Sequence, residues 1–442
     1  MTPTRNLLLL SSVCAALLTP VAAAAQSLVD LYNAARAHDA AYQSAKAQYD
    51  ANQARADLAR AGLLPTVNLS AGMSRSEFSN SNPSVDRGFG TQNATISASQ
   101  PLYRRANRVT VEQAERQRQQ AELQLTQAAQ DLIIRVSQAY FDVLGARDTL
   151  AFVQAQKTAV AEQLASAKRN FEVGTATITD TREAQARFDL VSAQEIAADN
   201  DLRVKRLALD TLVGRNNTDP KPLATPIALP PVQPTAVDDW VTQSEQASPS
   251  VGLARLSLDI AKLETEKARA GHLPTVDLTA SHTQNRSPQG SSTSALGSRS
   301  HNTSVGVSLN LPLFAGYATQ NRIRETLSLE EKALADLEAA RRGTAQATRS
   351  AFFGVVSGLG QVKALEAAEA SSQSALDANK LGYQVGVRIN IDVLNAQSQL
   401  FQTKRDLAVA RYNVLLGGLR LRQANGSLKA EDLQSVNALV AR

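Results

Sequence analysis

Cysteine, methionine, aromatic residues and long apolar runs are all scarce in this chain of 442 residues, which holds 1 Cys, 2 Met, 1 Trp, 8 Tyr and 10 Phe. The one cysteine, Cys14, lies in an N-terminal stretch that reads as a secretory signal over residues 1–25. Arg5 supplies its charged start, residues 7–18 its apolar run, and Ala23 and Ala25 the small residues ahead of cleavage at Gln26. A lipoprotein reading of Cys14 is disfavoured because Val13 is bulkier than the small residue that precedes an acylated cysteine. Without the signal, the chain offers no thiol, disulfide or cysteine metal site. After Gln26 no stretch approaches the roughly 18 to 20 apolar residues of a spanning helix, so a membrane crossing must use strands. A large excess of one charge sign is missing too. The net charge is +5 and charges are interspersed, which gives nucleic-acid binding little support. The four histidines, His38, His272, His282 and His301, include no pair at ligand spacing. No nucleophile with a base, phosphate loop or paired acids stands out, so no enzyme, metal or cofactor is expected.

What the chain does have is a duplication. Ala59-Arg60-Ala61-Gly62-Leu63-Leu64-Pro65-Thr66-Val67-Asn68-Leu69 returns as Ala268-Arg269-Ala270-Gly271-His272-Leu273-Pro274-Thr275-Val276-Asp277-Leu278. Pro101-Leu102-Tyr103 returns as Pro312-Leu313-Phe314, and Val173-Gly174 with Asp180 returns as Val385-Gly386 with Asp392. A register held across half the chain means that every element has a counterpart in the other half.

In the first repeat, 26–213, an Ala-rich stretch without Pro or Gly predicts one helix over 27–61 with Gly62 as its left-handed cap. After Pro65 the period becomes two: Val67, Leu69, Ala71 and Met73 alternate with Thr66, Asn68, Ser70 and Gly72, as in a strand with one apolar face. Residues 79–90 read as a polar loop, and a second strand follows with Ala94, Ile96 and Ala98 on one face until Pro101 closes it. From 104 to 172 there is no Pro and one Gly, which predicts a helix about 100 Å long at about 1.5 Å per residue. Gly174 ends it, and a return helix runs over 179–213. Residues 214–237 hold Pro220, Pro222, Pro226, Pro230, Pro231 and Pro234 and read as an extended linker. The second repeat, 238–425, follows the same order: helix 238–270, strand 274–286, loop 287–301, strand 302–313, long helix 317–384, turn at Gly386 and return helix 390–425. Residues 426–442 form a tail.

Strands with one apolar and one polar face suit a membrane barrel. The alternative, a small sandwich, rarely feeds its strands into helices of this length. Four strands cannot close a barrel, and open edges in lipid are costly, so other copies must complete it. Two copies give eight strands and a filled bore, three give twelve and a water-filled pore. The helices favour three. The expected fold class is mainly α with a β-barrel part, a duplicated helix-strand-strand-long helix-helix unit.

Two segments carry a family resemblance: Phe171-Glu172-Val173-Gly174-Thr175-Ala176-Thr177-Ile178-Thr179-Asp180 and Tyr383-Gln384-Val385-Gly386-Val387-Arg388-Ile389-Asn390-Ile391-Asp392-Val393-Leu394. They resemble the two periplasmic turns of the TolC family of outer membrane exit ducts, and Arg411-Tyr412-Asn413 is similar to that family as well. The resemblance covers the whole mature chain. It implies a homotrimer with a twelve-stranded barrel in the outer membrane of a Gram-negative bacterium and a helical tunnel in the periplasm. It further implies docking on an inner-membrane pump (RND, ABC or MFS type) and its periplasmic adaptor, to export drugs or type I secreted proteins.

On that resemblance the turns are a pore gate, with Asp180 and Arg388 as an ionic latch and Thr179 and Tyr383 adding hydrogen bonds. The plainer account is that Asp180 is a first-turn acid favoured by the helix dipole and Arg388 is solvated. Asp392 would form a ring of three carboxylates that attracts cations. The family's second acidic ring falls here on Asn395, so weaker block by multivalent cations is expected. At the barrel–tunnel junction, Pro101, Tyr103, Pro312 and Phe314, with Tyr317 nearby, suit either an interfacial aromatic belt or packing under the barrel. The rival to the duct is a periplasmic coiled-coil adaptor or tether, which would have no reason to keep lipid-type alternation in both repeats.

Overall fold

Ser27 opens the first helix with a capping box, its hydroxyl accepting from Asp30 N–H while the Asp30 carboxylate accepts from the Ser27 N–H. From there the computed structural model describes residues 26–440, apart from positions 83, 225, 226 and 228. The signal reading, with Arg5 and Cys14, and the linker's Pro226 lie outside the described residues.

The first repeat runs α1 (Leu28–His38), α2 (Ala40–Ala61), β1 (Thr66–Ser81), β2 (Ser84–Tyr103), α3 (Arg105–Glu172) and α4 (Ile178–Val213). The second runs α5 (Val237–Ala247), α6 (Pro249–Arg269), β3 (Thr275–Ser287), β4 (Ser298–Asn310), α7 (Ala318–Gln384) and α8 (Asn390–Ala424), and a short α9 (Asp432–Asn437) follows. The duplicated unit is therefore present element for element. Two compact units cut across the repeats: of the described residues, one takes 26–43, 129–242 and 347–440, the other 44–128 and 243–346.

Several boundaries differ from the sequence reading, each for a physical reason. The helix expected over 27–61 is two helices, because the Asp39 backbone is extended (φ −61°, ψ 117°) and its carboxylate caps α2 by accepting from Tyr42 N–H at 2.7 Å. The helix expected over 238–270 breaks at the matching Ser248, with Pro249 opening α6. Gly62 is not a left-handed cap. It continues into a tight turn (Gly62 N–H to Ala59 O, 3.2 Å; Leu63 N–H to Arg60 O, 2.9 Å), and the Asn107 amide donates to Gly62 O at 2.6 Å. Within the polar stretch 79–90, β1 runs on to Ser81 and β2 starts at Ser84, the two residues paired with each other, and β4 likewise starts at Ser298, inside the stretch read as loop. Serine, asparagine and glycine signal loops only where one strand face must be apolar, and that requirement lapses beyond an apolar band.

In the first unit, Trp240, Phe352, Val355, Val362, Leu407, Ala410, Val414 and Leu421 form one buried cluster. Small residues elsewhere let helices approach closely, as the aromatic shortage requires. Tyr412 stacks on Phe141 at 5.7 Å and donates to Asp148 Oδ2 at 2.5 Å, joining α8 to α3. Burial pushes the Asp148 carboxyl above its usual range, against the pull of that hydrogen bond and of Arg147. The proline-rich linker is extended but packed. Pro220 bridges Gln26, Leu223 bridges Val440 in the tail, Tyr140 donates to Lys221 O at 2.6 Å, and Leu229 and Val232 lie against the Trp240 cluster.

In the second unit, four antiparallel strands form one sheet in the order β1-β2-β3-β4. Its register places Val67, Leu69, Ile96, Ala98, Leu278, Val305, Val307 and Leu309 on one face, and Asn68, Ser70, Ser97, Thr95, Thr279, Ser281, Ser304 and Ser308 on the other. The apolar face is bare, with Leu69 74% and Val305 73% exposed. No described helix is long and apolar enough to cross a membrane.

Candidate functional site

The turns after α3 and α7 are built alike. Gly174 and Gly386 both sit at φ +79°, a left-handed conformation in which a side chain would be strained. Around Gly174, Thr175 and Ala176 N–H donate back to Asn170 O at 2.8 and 3.2 Å. Around Gly386, Val387 and Arg388 N–H donate to Gly382 O at 2.9 and 3.1 Å. This closure satisfies the last carbonyls of each long helix.

The helices that follow start differently. Thr177 caps α4 with a full capping box: its hydroxyl donates to Asp180 Oδ2 at 2.8 Å and accepts from Asp180 N–H, and the same carboxylate accepts from Thr177 N–H at 2.9 Å. Ile389 caps α8 and has no side chain to offer. The Asp392 carboxylate is thereby left to Arg388, whose Nη1 stands 3.7 Å away. The Arg388 chain lies over Gly382, where a Cβ would come within 2.7 Å of its Cγ.

The structure places the expected latch residues as follows. Asp180 is half-buried and engaged in the capping box, Thr179 is exposed, and the Tyr383 hydroxyl accepts from Asn170 Nδ2 at 3.2 Å. Asp180 and Arg388 form no ion pair among the described residues of a single chain; each has a local partner instead. The plainer account of Asp180 as a first-turn acid therefore holds within the chain. Asn395 accepts from Arg187 Nη2 at 2.8 Å.

Sequence reasoning missed the residue that joins the turns. Asn390, 1% exposed, donates to Asp180 O at 3.3 Å and accepts from Gln163 Nε2. Its one signal was a polar residue standing where the first repeat has Ile178. Asn170 and Arg187 likewise reach across from the first repeat to the second.

At the sheet's helix end the repeats diverge. Pro101 does not close its strand: β2 continues to Tyr103 through a register shift, and Arg104 holds Asp277 in a two-pronged pair at 2.8 and 2.6 Å. Pro312 and Phe314 lie beyond β4, where Phe314, 73% exposed, meets Tyr317 edge to face at 5.5 Å. No group of three or more metal-ligating side chains occurs among the described residues.

A sheet with one lipid-type face and long helical hairpins closed by paired glycine turns defines an outer-membrane exit duct. The chain belongs to the outer membrane efflux protein family, whose family model matches residues 31–215 and 240–427. It is 35% identical to the outer membrane protein TolC of Vibrio cholerae, covering 94% of each chain. It is 31% identical to the alkaline protease secretion protein AprF of Pseudomonas aeruginosa, over 94% of this chain and 87% of that one. Among solved structures it resembles the outer membrane protein VceC of Vibrio cholerae, with TM-score 0.76 and 20% identity over 91% of this chain and 96% of that one. The family is one of transport channels, and the protein is a TolC-type channel of the outer membrane that extends into the periplasm.

Proposed function

We propose that three copies of the chain close one twelve-stranded barrel and form the exit duct of a tripartite export system. The observation that carries this is the sheet itself, which has a bare apolar face and two edge strands, β1 and β4, each paired on one side only. In lipid those free edges would leave backbone groups unpaired at several kcal/mol each, and a neighbour's edge satisfies them. A periplasmic adaptor and an inner-membrane pump of RND, ABC or MFS type feed the duct. Relatives named for efflux and for protease secretion support drugs and type I secreted proteins as its cargo.

The gate lies at the two turns. Arg388 is the movable part, because its pair with Asp392 is long and its side chain 60% exposed. In the closed assembly Arg388 engages Asp180 of a neighbouring turn, with Thr179 and Tyr383 as hydrogen-bonding partners. One exposed pair is worth up to about 1 kcal/mol, so three acting together hold the gate. Asp392 supplies a single acidic ring. Membrane fractionation with heat-modifiable mobility and chemical cross-linking tests the assembly: a cross-linked trimer in the outer-membrane fraction is expected, and a water-soluble monomer without detergent would refute it.

A further inference from the structure

The apolar face of the sheet ends in an arrangement that a strand pair avoids. Arg286 on β3 and Arg299 on β4 stand directly opposite each other on that face. Like charges so placed repel. Both are exposed, and neither side chain has an ion-pair or hydrogen-bond partner among the described residues. On the same face, next in from the pair, His301 stacks on His282 with ring centroids 6.2 Å apart, and His282 Nδ1 is 2.7 Å from Thr303 Oγ1. Arg75 of β1 is exposed on the same face, one row further out, opposite Gly90.

The spacing gives this cluster its meaning. From Leu309 to Arg299 is ten steps along β4, about 34 Å at about 3.4 Å per step. At a strand tilt of about 40° that is roughly 26 Å of height, close to the roughly 25 Å apolar band of outer-membrane barrels. Beyond one end of the sheet lie Phe314 and Tyr317, and the other end of the apolar face, toward the hairpins, carries arginine and histidine. We propose that Arg286 and Arg299, flanked by His282 and His301, bind the phosphate of a lipid headgroup in the outer leaflet. A phosphate bridging two guanidiniums removes their repulsion and accepts paired hydrogen bonds, while the lipid's acyl chains lie on the Leu278, Val305 and Val307 surface. The inference rests on the apolar face being the lipid-facing side of a barrel.

The test uses the full-length protein, purified in mild detergent and exposed to diphosphorylated lipid A, its dephosphorylated form, or inorganic phosphate, with bound lipid counted by native mass spectrometry. Lipid A is expected to bind wild type at least about tenfold more tightly than R286Q/R299Q, a loss of about 1.4 kcal/mol or more. R286K/R299K is expected to fall between them. Equal retention by R286Q/R299Q, equal binding of the dephosphorylated lipid, or inorganic phosphate binding as tightly as lipid A would each overturn the proposal. The lipid comparison on wild type needs no variant, so it decides the matter even if R286Q/R299Q does not assemble. Wild type that is soluble without detergent removes the barrel along with the lipid site, whereas an assembled barrel that ignores the headgroup phosphate removes the lipid site alone.

Discussion

The first and second repeats share a backbone and divide the polar chemistry differently. At the helix turns, both chains of hydrogen bonds close on a glycine at φ +79°, yet Thr177 and Asp180 cap one another while Ile389 leaves Asp392 to Arg388. At the break in the first helix of each repeat, Asp39 is a buried, doubly paired carboxylate, whereas Ser248 makes no side-chain cap bond and leaves the break to Pro249. The difference teaches that duplication preserved the path of the chain and let each copy specialise. The first repeat's turn acid, Asp180, is spent on its own helix cap, and the second repeat's, Asp392, is left to a long, exposed pair with Arg388.

The comparison breaks most sharply at Asp39. It is 8% exposed, accepts from Arg135 at 2.8 and 3.0 Å, and caps α2. Asp39→Ala is expected to destabilise the protein by about 2 kcal/mol, below the range for a fully buried pair because Arg135 is partly exposed. Ser248→Ala should stay within about 0.5 kcal/mol. Denaturant midpoints of the two variants in detergent check this, and equal losses would dissolve the distinction. The Arg135 hydrogen bond holds the Asp39 carboxyl below its usual range. A depressed carboxylate contributes stability above its unfolded pKa of about 3.9 and loses that contribution as pH falls through its folded value. The gap between wild type and Asp39→Asn should therefore be full at pH 7 and shrink below about pH 4.

A middle-sized effect is expected at the helix starts after the turns. Thr177→Val removes the capping box and should cost about 1 kcal/mol. Ile389→Thr builds the missing box, because Asp392 already stands three residues on, and should return a similar amount while drawing Asp392 away from Arg388. Hydrogen exchange over the first turns of α4 and α8 reads both, and an unchanged α8 in Ile389→Thr would show that the second turn is constrained by something other than its cap.

Why the first-repeat and second-repeat turns were legible and the rest was not follows from the range of each signal. Gly174, Gly386 and the alternation of Val67, Leu69 and Val305, Val307 are local patterns, and each fixed its element. The breaks at Asp39 and Ser248 were missed because α1 and α5 end without glycine. At Asp39 the break is held by the cap on Tyr42 N–H and by a long-range partner, Arg135, and no window of neighbouring residues contains the latter. The last residues of β1 (79–81) and the first of β2 (84–90) read as loop since strands wet on both faces lose their period. Asn390 was missed because its importance depends on burial against Gln163 and Asp180, contacts made across the repeats. The resemblance named the charged turn residues but could not say that Asp180 is occupied at home.

The smallest stability change and the sharpest functional one belong to the free end of the comparison, Asp392 and its surroundings. Arg388→Gln should cost well under 1 kcal/mol, since the pair is exposed and 3.7 Å long. In the proposed gate it would remove the cation beside each ring carboxylate and the movable half of the latch, so single-channel recordings in a planar bilayer should show a more open channel that multivalent cations block more tightly. Asn395→Asp adds the second ring but places it beside Arg187, which already holds that position at 2.8 Å. Its carboxylate would be neutralised in part, so block should strengthen less than a second free ring implies, and Arg187→Gln in the same chain should release the remainder. If Asn395→Asp alone gives the full increase, Arg187 does not stand beside the ring in the assembled pore. The turn would then differ there from the single chain, and the contrast between a self-satisfied first turn and an open second one would have to be redrawn at the level of the trimer.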